Sequence, residues 1–146
     1  MALTKMPRMT SVMTPFPYSV ESGTRLSDAR QLMREHDIHH LPVKRQGELV
    51  GVVSDRDLRH CMESANDESR AAKLSVEDAR VQVAPRIDLH ARLDEVAEQM
   101  AETRSDAVLI LRGERLAGIF TATDACRCLA EYLGERFPHD DEDQIA

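Results

Sequence analysis

The chain has 146 residues, of which 42% are hydrophobic and only 3% aromatic, and its net charge is −7. This length fits one compact domain with an aliphatic core, and the negative charge argues against nonspecific binding to nucleic acid, which needs a basic surface. Because no apolar run reaches about 18 residues and the N-terminus lacks a signal-peptide pattern, we expect no membrane span.

The first half of the chain is predicted to alternate short strands with two helices. Thr24 is the expected N-cap of the first helix, whose apolar residues fall on one helical stripe. The apolar run from Leu49 to Val53 indicates a strand that is buried on both faces. In chain order, the predicted elements are an extended lead-in over 1–8, a short strand at Val20, a helix over 25–36, a strand from Leu41, a turn at 46–48, a strand over 49–53 and a helix over 55–64.

The second half is predicted to repeat this order. Residues 63–73 are polar and rich in small side chains, which indicates a linker or a frayed helix end. The acidic run over 140–143 is expected to be solvated. The remaining predicted elements are a strand at Ile87, a helix over 92–103, a strand over 107–111, a turn at 112–114, a strand over 116–120 and a helix over 123–133.

A duplicated sequence pattern accounts for this symmetry. The segment 49–57 returns at 116–124 with an offset of 67 positions, and the offset holds without a gap from about Met9 to Met62. We therefore predict an α/β (α+β) fold in which two β-α-β-β-α repeats pack through their sheets about a pseudo-twofold axis. The predicted divisions are a lead-in over 1–8, a first repeat over 9–63, a linker over 64–75, a second repeat over 76–133 and an acidic tail over 134–146.

Each repeat carries a hydroxyl residue and an acid at the end of its buried strand. These pairs are Ser54 with Asp57 and Thr121 with Asp124. One interpretation is purely structural, because a hydroxyl followed three residues later by an acid resembles a capping box. The other is functional: ligands lie at the carboxyl ends of strands in open α/β sheets, and a carboxylate accepts two hydrogen bonds from a vicinal diol such as ribose.

The order and duplication of these motifs resemble a tandem pair of CBS domains, named after cystathionine β-synthase. The resemblance covers about residues 9–133. It implies a stand-alone regulatory module, a cytoplasmic metabolite sensor that is often dimeric, without catalytic residues of its own. The segments that carry the resemblance are Val12-Met13-Thr14-Pro15, His40-Leu41-Pro42-Val43, Gly51 to Asp57, Ala107 to Ile110 and Gly118 to Asp124.

The same resemblance implies an adenosine-containing ligand, with AMP or ATP first and ADP, NAD or S-adenosylmethionine as alternatives, in the clefts between the repeats. By position in the family motif, Ser54, Asp57, Thr121 and Asp124 would hold ribose hydroxyls. The backbone and apolar side chains that would meet the adenine are those of Val20, Leu41, Pro42, Ile87 and Val108.

Phosphate contacts are assigned to His39, His40 and Arg56. Both histidines precede the Leu-Pro-Val segment, where some nucleotide-sensing relatives carry His-Arg, and Arg56 lies in the first turn of its predicted helix. The alternative is that all three are exposed polar residues. The second repeat has Asp106 where the first has His39, and a carboxylate there would repel phosphate, so the two sites are expected to be unequal.

Other functions find less support in the sequence. The three cysteines, Cys61, Cys126 and Cys128, form no metal-binding or disulfide pattern, and they favour a reducing compartment. We expect no metal site, no nucleic-acid partner and no enzyme activity. A module that dimerises or docks without any ligand is the alternative function, in which the two hydroxyl–acid pairs are only helix caps.

Overall fold

A computed structural model describes residues 5–15 and 17–140 of the chain. The chain divides into two compact units. The central unit comprises residues 17–84, and the split unit combines the described residues before position 17 with residues 85–140. Residues 1–4 of the predicted lead-in and 141–143 of the predicted acidic run lie outside the described residues.

The helices and strands follow the predicted order. They are α1 (Met9–Val12), β1 (Thr14–Pro15), β2 (Val20–Glu21), α2 (Leu26–His36), β3 (His40–Arg45), β4 (Glu48–Ser54), α3 (Asp55–Glu63), α4 (Glu68–Lys73), a 3-10 turn (Val76–Asp78), β5 (Arg86–Asp88), α5 (Leu93–Thr103), β6 (Ala107–Arg112), β7 (Arg115–Thr121) and α6 (Ala122–Arg136). The β-α-β-β-α order therefore occurs twice, and the predicted mixed α/β class with two sheets is confirmed.

The central unit contains a three-stranded sheet in the order β2-β3-β4. Strand β2 runs parallel to β3, and β3 and β4 form a hairpin in which His40 lies opposite Ser54. Gln46 and Gly47 at the turn both have positive φ, of 53° and 80°. A two-residue turn of this kind matches the twist of antiparallel strands, which confirms the predicted hairpin.

The split unit contains a four-stranded sheet in the order β1-β7-β6-β5. Strands β5 to β7 repeat the arrangement of β2 to β4, and β1 adds to the edge, with Thr14 opposite Ile119. The edge strand β4 of the central sheet makes a shorter contact like that between β1 and β7. Here Val52 and Gln82 exchange two backbone hydrogen bonds of 2.9 Å.

The compact units and the sequence repeats have different boundaries. Residues 9–15 begin the first sequence repeat but belong to the split unit, whereas residues 76–84 begin the second repeat and belong to the central unit. A glycine makes each edge contact possible: a Cβ on Gly51 would collide with the Gln82 carbonyl oxygen, and a Cβ on Gly118 would lie 2.8 Å from the Thr14 carbonyl oxygen. Each unit therefore contains residues from both sequence repeats.

Each unit has its own hydrophobic core beneath its helices. The buried stripe of α2 is Leu26, Ala29 and Met33, and that of α5 is Leu93, Val96 and Met100. Both stripes have the predicted helical spacing. Phe120 is fully buried in the split core, and the other buried members of that core are aliphatic residues and methionines, as the low aromatic content led us to expect.

One local prediction is wrong, and one helix was not predicted. Thr24 is not the N-cap of α2: the cap is Arg25, without a side-chain hydrogen bond, and the carbonyl of Thr24 instead accepts the amide of Val76 at 2.9 Å. The predicted linker contains helix α4, which Asp67 caps by accepting the Arg70 amide at 2.7 Å. In the described part of the chain, no helix is both long and apolar enough to cross a membrane.

Candidate functional site

The first hydroxyl–acid pair joins the end of β4 to the start of α3. Ser54 is the N-cap, and its hydroxyl oxygen accepts the amide of Asp57 at 3.1 Å. In return, Oδ2 of Asp57 accepts the amide of Ser54 at 3.3 Å and the Ser54 hydroxyl at 2.8 Å. The capping-box interpretation is confirmed, and the box fixes the carboxylate at the carboxyl end of a buried strand.

The second pair has the same geometry between β7 and α6. Thr121 is the N-cap, and its hydroxyl oxygen accepts the amide of Asp124 at 3.2 Å. Oδ2 of Asp124 accepts the amide of Thr121 at 2.9 Å and the Thr121 hydroxyl at 3.1 Å. In each box, Oδ2 of the aspartate accepts both hydrogen bonds from the N-cap residue, and Oδ1 takes no part in the cap.

The two carboxylates differ in what surrounds that second oxygen. The Nη1 of Arg127 donates to Oδ1 of Asp124 at 3.2 Å, and Asp124 is only 6% exposed. Asp57 is half-buried, and its side-chain bonds with other described residues all end on Oδ2, including a bond of 3.3 Å from Nε2 of Gln82. Oδ1 of Asp57 is thus the carboxylate oxygen best placed to accept hydrogen bonds from a ligand.

The three phosphate candidates surround the first box. The carbonyl of His39 accepts the amide of Asp55 at 2.9 Å, which holds the exposed His39 beside the start of α3. His40 is half-buried and pairs with Ser54 across the β3–β4 ladder, and Arg56 is exposed in the first turn of α3. Arg56 thus brings a positive charge to the first turn of α3, where the helix dipole also favours an anion.

The split unit places an acid at the corresponding position. The carbonyl of Asp106 accepts the amide of Ala122 at 2.9 Å, as His39 does in the central unit. The Asp106 side chain is exposed. The structure therefore confirms that His39 and Asp106 are positional equivalents, so a carboxylate stands in the split unit where the central unit has an imidazole.

The predicted adenine-lining residues are core residues of their units. Val20 and Leu41 belong to the central core and Ile87 and Val108 to the split core, and the Pro42 side chain is also buried. Their side chains are therefore engaged in packing. Leu41 and Val108 lie at the amino-terminal ends of β3 and β6, beside the carboxyl ends of β4 and β7. Their role toward adenine stays a prediction.

Histidines and cysteines do not assemble into a metal site among the described residues. His36 is exposed, and its ring stacks on Tyr18 with centroids 3.9 Å apart. Burial, with the nearby Asp78 charge, raises the pKa of the Cys61 thiol, and burial, with Glu131 and Asp124, raises that of Cys128. Raised pKa values keep both thiols protonated at neutral pH, which makes them poor metal ligands and nucleophiles.

Sequence reasoning missed Gln82 and Arg127. Gln82 lies 25 residues from Asp57, and nothing in its local sequence marks the contact, which depends on the edge pairing with Val52. Arg127 was detectable in principle, because it follows Asp124 by three positions on a helix, a spacing at which opposite charges meet.

The sequence profile of the CBS domain matches residues 9–64 and 81–131. The chain belongs to the CBS domain family. This CBS protein is also similar to solved structures. A Vibrio cholerae protein described as an acetoin utilization protein, AcuB, is 26% identical with a TM-score of 0.73, and the match covers 93% of this chain and 99% of that one.

Two further similarities concern a ligand complex and an enzyme. CBSX2, whose structure was solved in complex with AMP, is 25% identical with a TM-score of 0.66, and the match covers 85% of this chain and 96% of CBSX2. Inosine-5'-monophosphate dehydrogenase of Staphylococcus saprophyticus is 28% identical over 88 residues. That match covers 60% of this chain but only 17% of the dehydrogenase, so it carries no argument for an enzymatic activity.

Proposed function

We propose that the central unit of this CBS protein binds an adenosine-containing ligand at the Ser54–Asp57 box, with AMP or ATP as the favoured ligand, and that the protein acts as a metabolite sensor. One observation carries the proposal: the capping box fixes Asp57 at a strand end, yet Oδ1 lies outside the box. CBSX2, a relative of similar length with AMP bound, adds support.

The chemistry of the box suits a ribose. Oδ1 of Asp57 accepts the first hydroxyl of the 2′,3′-diol, and a carboxylate oxygen with two lone pairs accommodates the second as well. The Ser54 hydroxyl donates its proton to Asp57 and accepts the Asp57 amide, so it keeps one lone pair for a sugar hydroxyl. The box therefore presents hydrogen-bond acceptors to a ligand, which suits the two hydroxyl donors of a ribose diol.

The surroundings of the box suit the phosphate of a nucleotide. Arg56 and the two histidines lie near the N-terminus of α3, where backbone amides also favour an anion. Asp55, the one acid at the start of that helix outside the box, is compensated by Arg30 at 3.7 Å and Arg59 at 3.3 Å. The split unit presents Asp106 instead, so we expect its site to be the weaker one.

Calorimetry with AMP, ADP, ATP, NAD and S-adenosylmethionine tests the proposal, and Asp57→Ala is the decisive variant. Losing charge-assisted hydrogen bonds should weaken binding by about 1–3 kcal/mol, or roughly 5- to 150-fold. Asp78→Ala is the matched control, because Asp78 closes the same kind of box with Ser75, at 2.8 Å to its amide.

Comparing Asp57→Ala with Asp78→Ala distinguishes a helix cap from a ligand site. Both should lose about 1 kcal/mol of unfolding free energy through the cap, measured by urea denaturation. Only Asp57→Ala should lose nucleotide affinity. Equal affinities in both variants, or no heat with any of the five ligands at millimolar concentration, would show that the Ser54–Asp57 box is only a helix cap.

A second candidate function is dimerisation, and helix α6 favours it. Four large apolar side chains on and just after this helix are 39–66% exposed: Leu129, Tyr132, Leu133 and Phe137. Their spacing of three or four residues places them on one helical stripe, which in a monomer would remain in water. Sedimentation of wild type and Leu133→Glu tests this function: we expect a dimer that the charged variant dissociates, and a wild-type monomer at high micromolar concentration would exclude it.

A further inference from the structure

Arg30 on helix α2 carries a charge into the contact between α2 and α3. Its side chain is only 26% exposed, and its Nε is buried and makes no hydrogen bond to any described residue. A charged group in such a place is costly unless an opposite charge compensates it. Oδ1 of Asp55 lies 3.7 Å from this Nε, too far for a hydrogen bond but close enough for charge attraction. Arg30 therefore acts on Asp55 through its charge.

Asp55 stands next to the proposed nucleotide site. It is the first residue of α3 and directly follows Ser54 of the box. Its amide donates to the carbonyl of His39 at 2.9 Å, which fixes its backbone at the helix N-terminus. Its carboxylate lies between two guanidinium groups, because Nε of Arg59 is 3.3 Å from Oδ2. The Arg59 side chain is 55% exposed, so solvent screens its charge more than that of Arg30.

A second contact holds the Arg30 guanidinium in place. Its Nη1 donates to Sδ of Met62 at 3.3 Å, in the last turn of α3. Arg30 therefore connects α2 to both ends of α3, with the carboxylate of Asp55 at one end and a thioether at the other. The position of the compensating charge is thus set by the packing of the two helices.

The second sequence repeat contains none of these four residues. At the offset of 67 positions, the places of Arg30, Asp55, Arg59 and Met62 are taken by Ala97, Ala122, Cys126 and Leu129. Helices α5 and α6 form without the charges, so the repeat fold itself does not require them. The charge cluster is a feature of the central unit, whose box is the one with a carboxylate oxygen best placed for a ligand.

The cluster determines the charge that an anion meets at the start of α3. An uncompensated carboxylate on the first helical residue would repel a phosphate and oppose both Arg56 and the helix dipole. With Arg30 and Arg59 in place, two guanidinium groups outnumber the one carboxylate. The local charge therefore favours a phosphate rather than repelling it.

We propose that Arg30 is a specificity-determining residue of the central site: by compensating Asp55, it makes the site prefer phosphorylated adenosine ligands to adenosine itself. This inference rests on the proposed nucleotide site at the Ser54–Asp57 box. Arg30 acts through Asp55 as a positioning residue and needs no contact with the ligand. Because the box holds the ribose in either case, only the binding of the phosphate depends on Arg30.

Calorimetry with AMP and with adenosine tests this role at the site that Asp57→Ala weakens. In Arg30→Gln we expect AMP affinity to fall about three- to fivefold and adenosine affinity to change by less than about twofold, because only AMP carries the phosphate. Asp55→Asn removes the repelling carboxylate and should raise AMP affinity by a similar factor. The double variant removes one charge of each sign, so its AMP affinity should return to within about twofold of wild type.

Two further variants control for effects on structure. Arg34 lies one turn further along α2, is exposed and forms no ion pair with another described residue, so Arg34→Gln should leave both affinities unchanged. Arg30→Lys keeps the charge and should keep the preference for AMP, even if the lost contact with Met62 lowers stability in urea.

The ratio of the AMP and adenosine affinities decides the outcome. Equal losses of both affinities in Arg30→Gln would assign Arg30 a purely structural role and overturn the inference. A double variant that binds AMP no better than Arg30→Gln would also overturn it, because the effect would then not pass through Asp55. If wild type bound neither AMP nor adenosine, the proposed nucleotide site would itself be refuted, and this inference with it.

Discussion

Gln82 donates a hydrogen bond of 3.3 Å to Oδ2 of Asp57, the same carboxylate oxygen that closes the cap of α3. This bond ties the candidate ribose acceptor to the segment that pairs with the edge strand β4 through Val52. Because Oδ2 is held from two directions, the carboxylate is oriented before a ligand arrives, with Oδ1 left to accept.

Replacing Gln82 should therefore weaken the nucleotide site without destroying it. In Gln82→Leu the capping box remains but loses its third donor, and we expect AMP affinity to fall by about 0.5–1.5 kcal/mol, or roughly two- to twelvefold. Titration calorimetry measures the change, and Gln99→Leu, on the exposed face of α5, is the control. An affinity equal to wild type would show that Gln82 does not orient Asp57.

The contact between Arg127 and Asp124 predicts how the second site could be strengthened. Arg127 donates to Oδ1 of Asp124 at 3.2 Å, the oxygen that would otherwise be available to a ribose. The Arg127 side chain is 63% exposed, so the ion pair itself is worth about 0–1 kcal/mol. Arg127→Ala should thus raise nucleotide affinity at the split unit by up to about fivefold. Binding stoichiometry at fixed AMP concentration checks this, and weaker binding would mean that Arg127 contacts the phosphate instead.

Much of the site was predictable because local patterns determine it. The offset of 67 positions aligned Ser54 with Thr121 and Asp57 with Asp124, and strand periodicity placed both pairs at strand ends. A capping box requires only residues three positions apart, so its geometry follows from local sequence. The presence of Asp106 in the place of His39 could also be predicted, because the offset of 67 positions aligns the two residues.

The remaining features depend on contacts between distant segments. The cap of α2 shifted from Thr24 to Arg25 because the Thr24 carbonyl pairs with the Val76 amide, 52 positions away. The hydrogen bond from Gln82 to Asp57 joins residues 25 positions apart, and no sequence motif marks it. Tertiary pairing of this kind overrides local preference, and a single sequence contains no signal for it.

The two edge glycines should be sensitive to the smallest substitution. A Cβ at Gly51 would collide with the Gln82 carbonyl and lie 3.0 Å from Val81, and one at Gly118 would lie 2.8 Å from the Thr14 carbonyl. Gly51→Ala and Gly118→Ala should each lower the unfolding free energy by about 1–3 kcal/mol, measured in urea. Since Gly51→Ala also displaces Gln82, it should weaken AMP binding as well.

Gly134 is the matched control for both glycines. It lies within α6, and a Cβ there would meet no atom within 4 Å. Gly134→Ala should therefore raise the unfolding free energy by about 0.5–1 kcal/mol, the helix-propensity difference between the two residues. Equal effects at all three positions would contradict the close approach of the chain segments at Gly51 and Gly118.

The half-buried thiols predict a loss of stability at alkaline pH. The pKa values of Cys61 and Cys128 are raised above the ordinary value of 9.0, chiefly by burial. As pH rises through that value, the unfolded chain releases these thiol protons while the folded chain retains them, so the unfolded state binds fewer protons and the unfolding free energy falls. Urea denaturation at about pH 8 and about pH 10 should show a smaller decrease in a Cys61→Ala, Cys128→Ala variant than in wild type. Cys126, which is exposed, provides the control: Cys126→Ala should keep the full wild-type decrease, and the same decrease in all three proteins would rule out the thiols as its source.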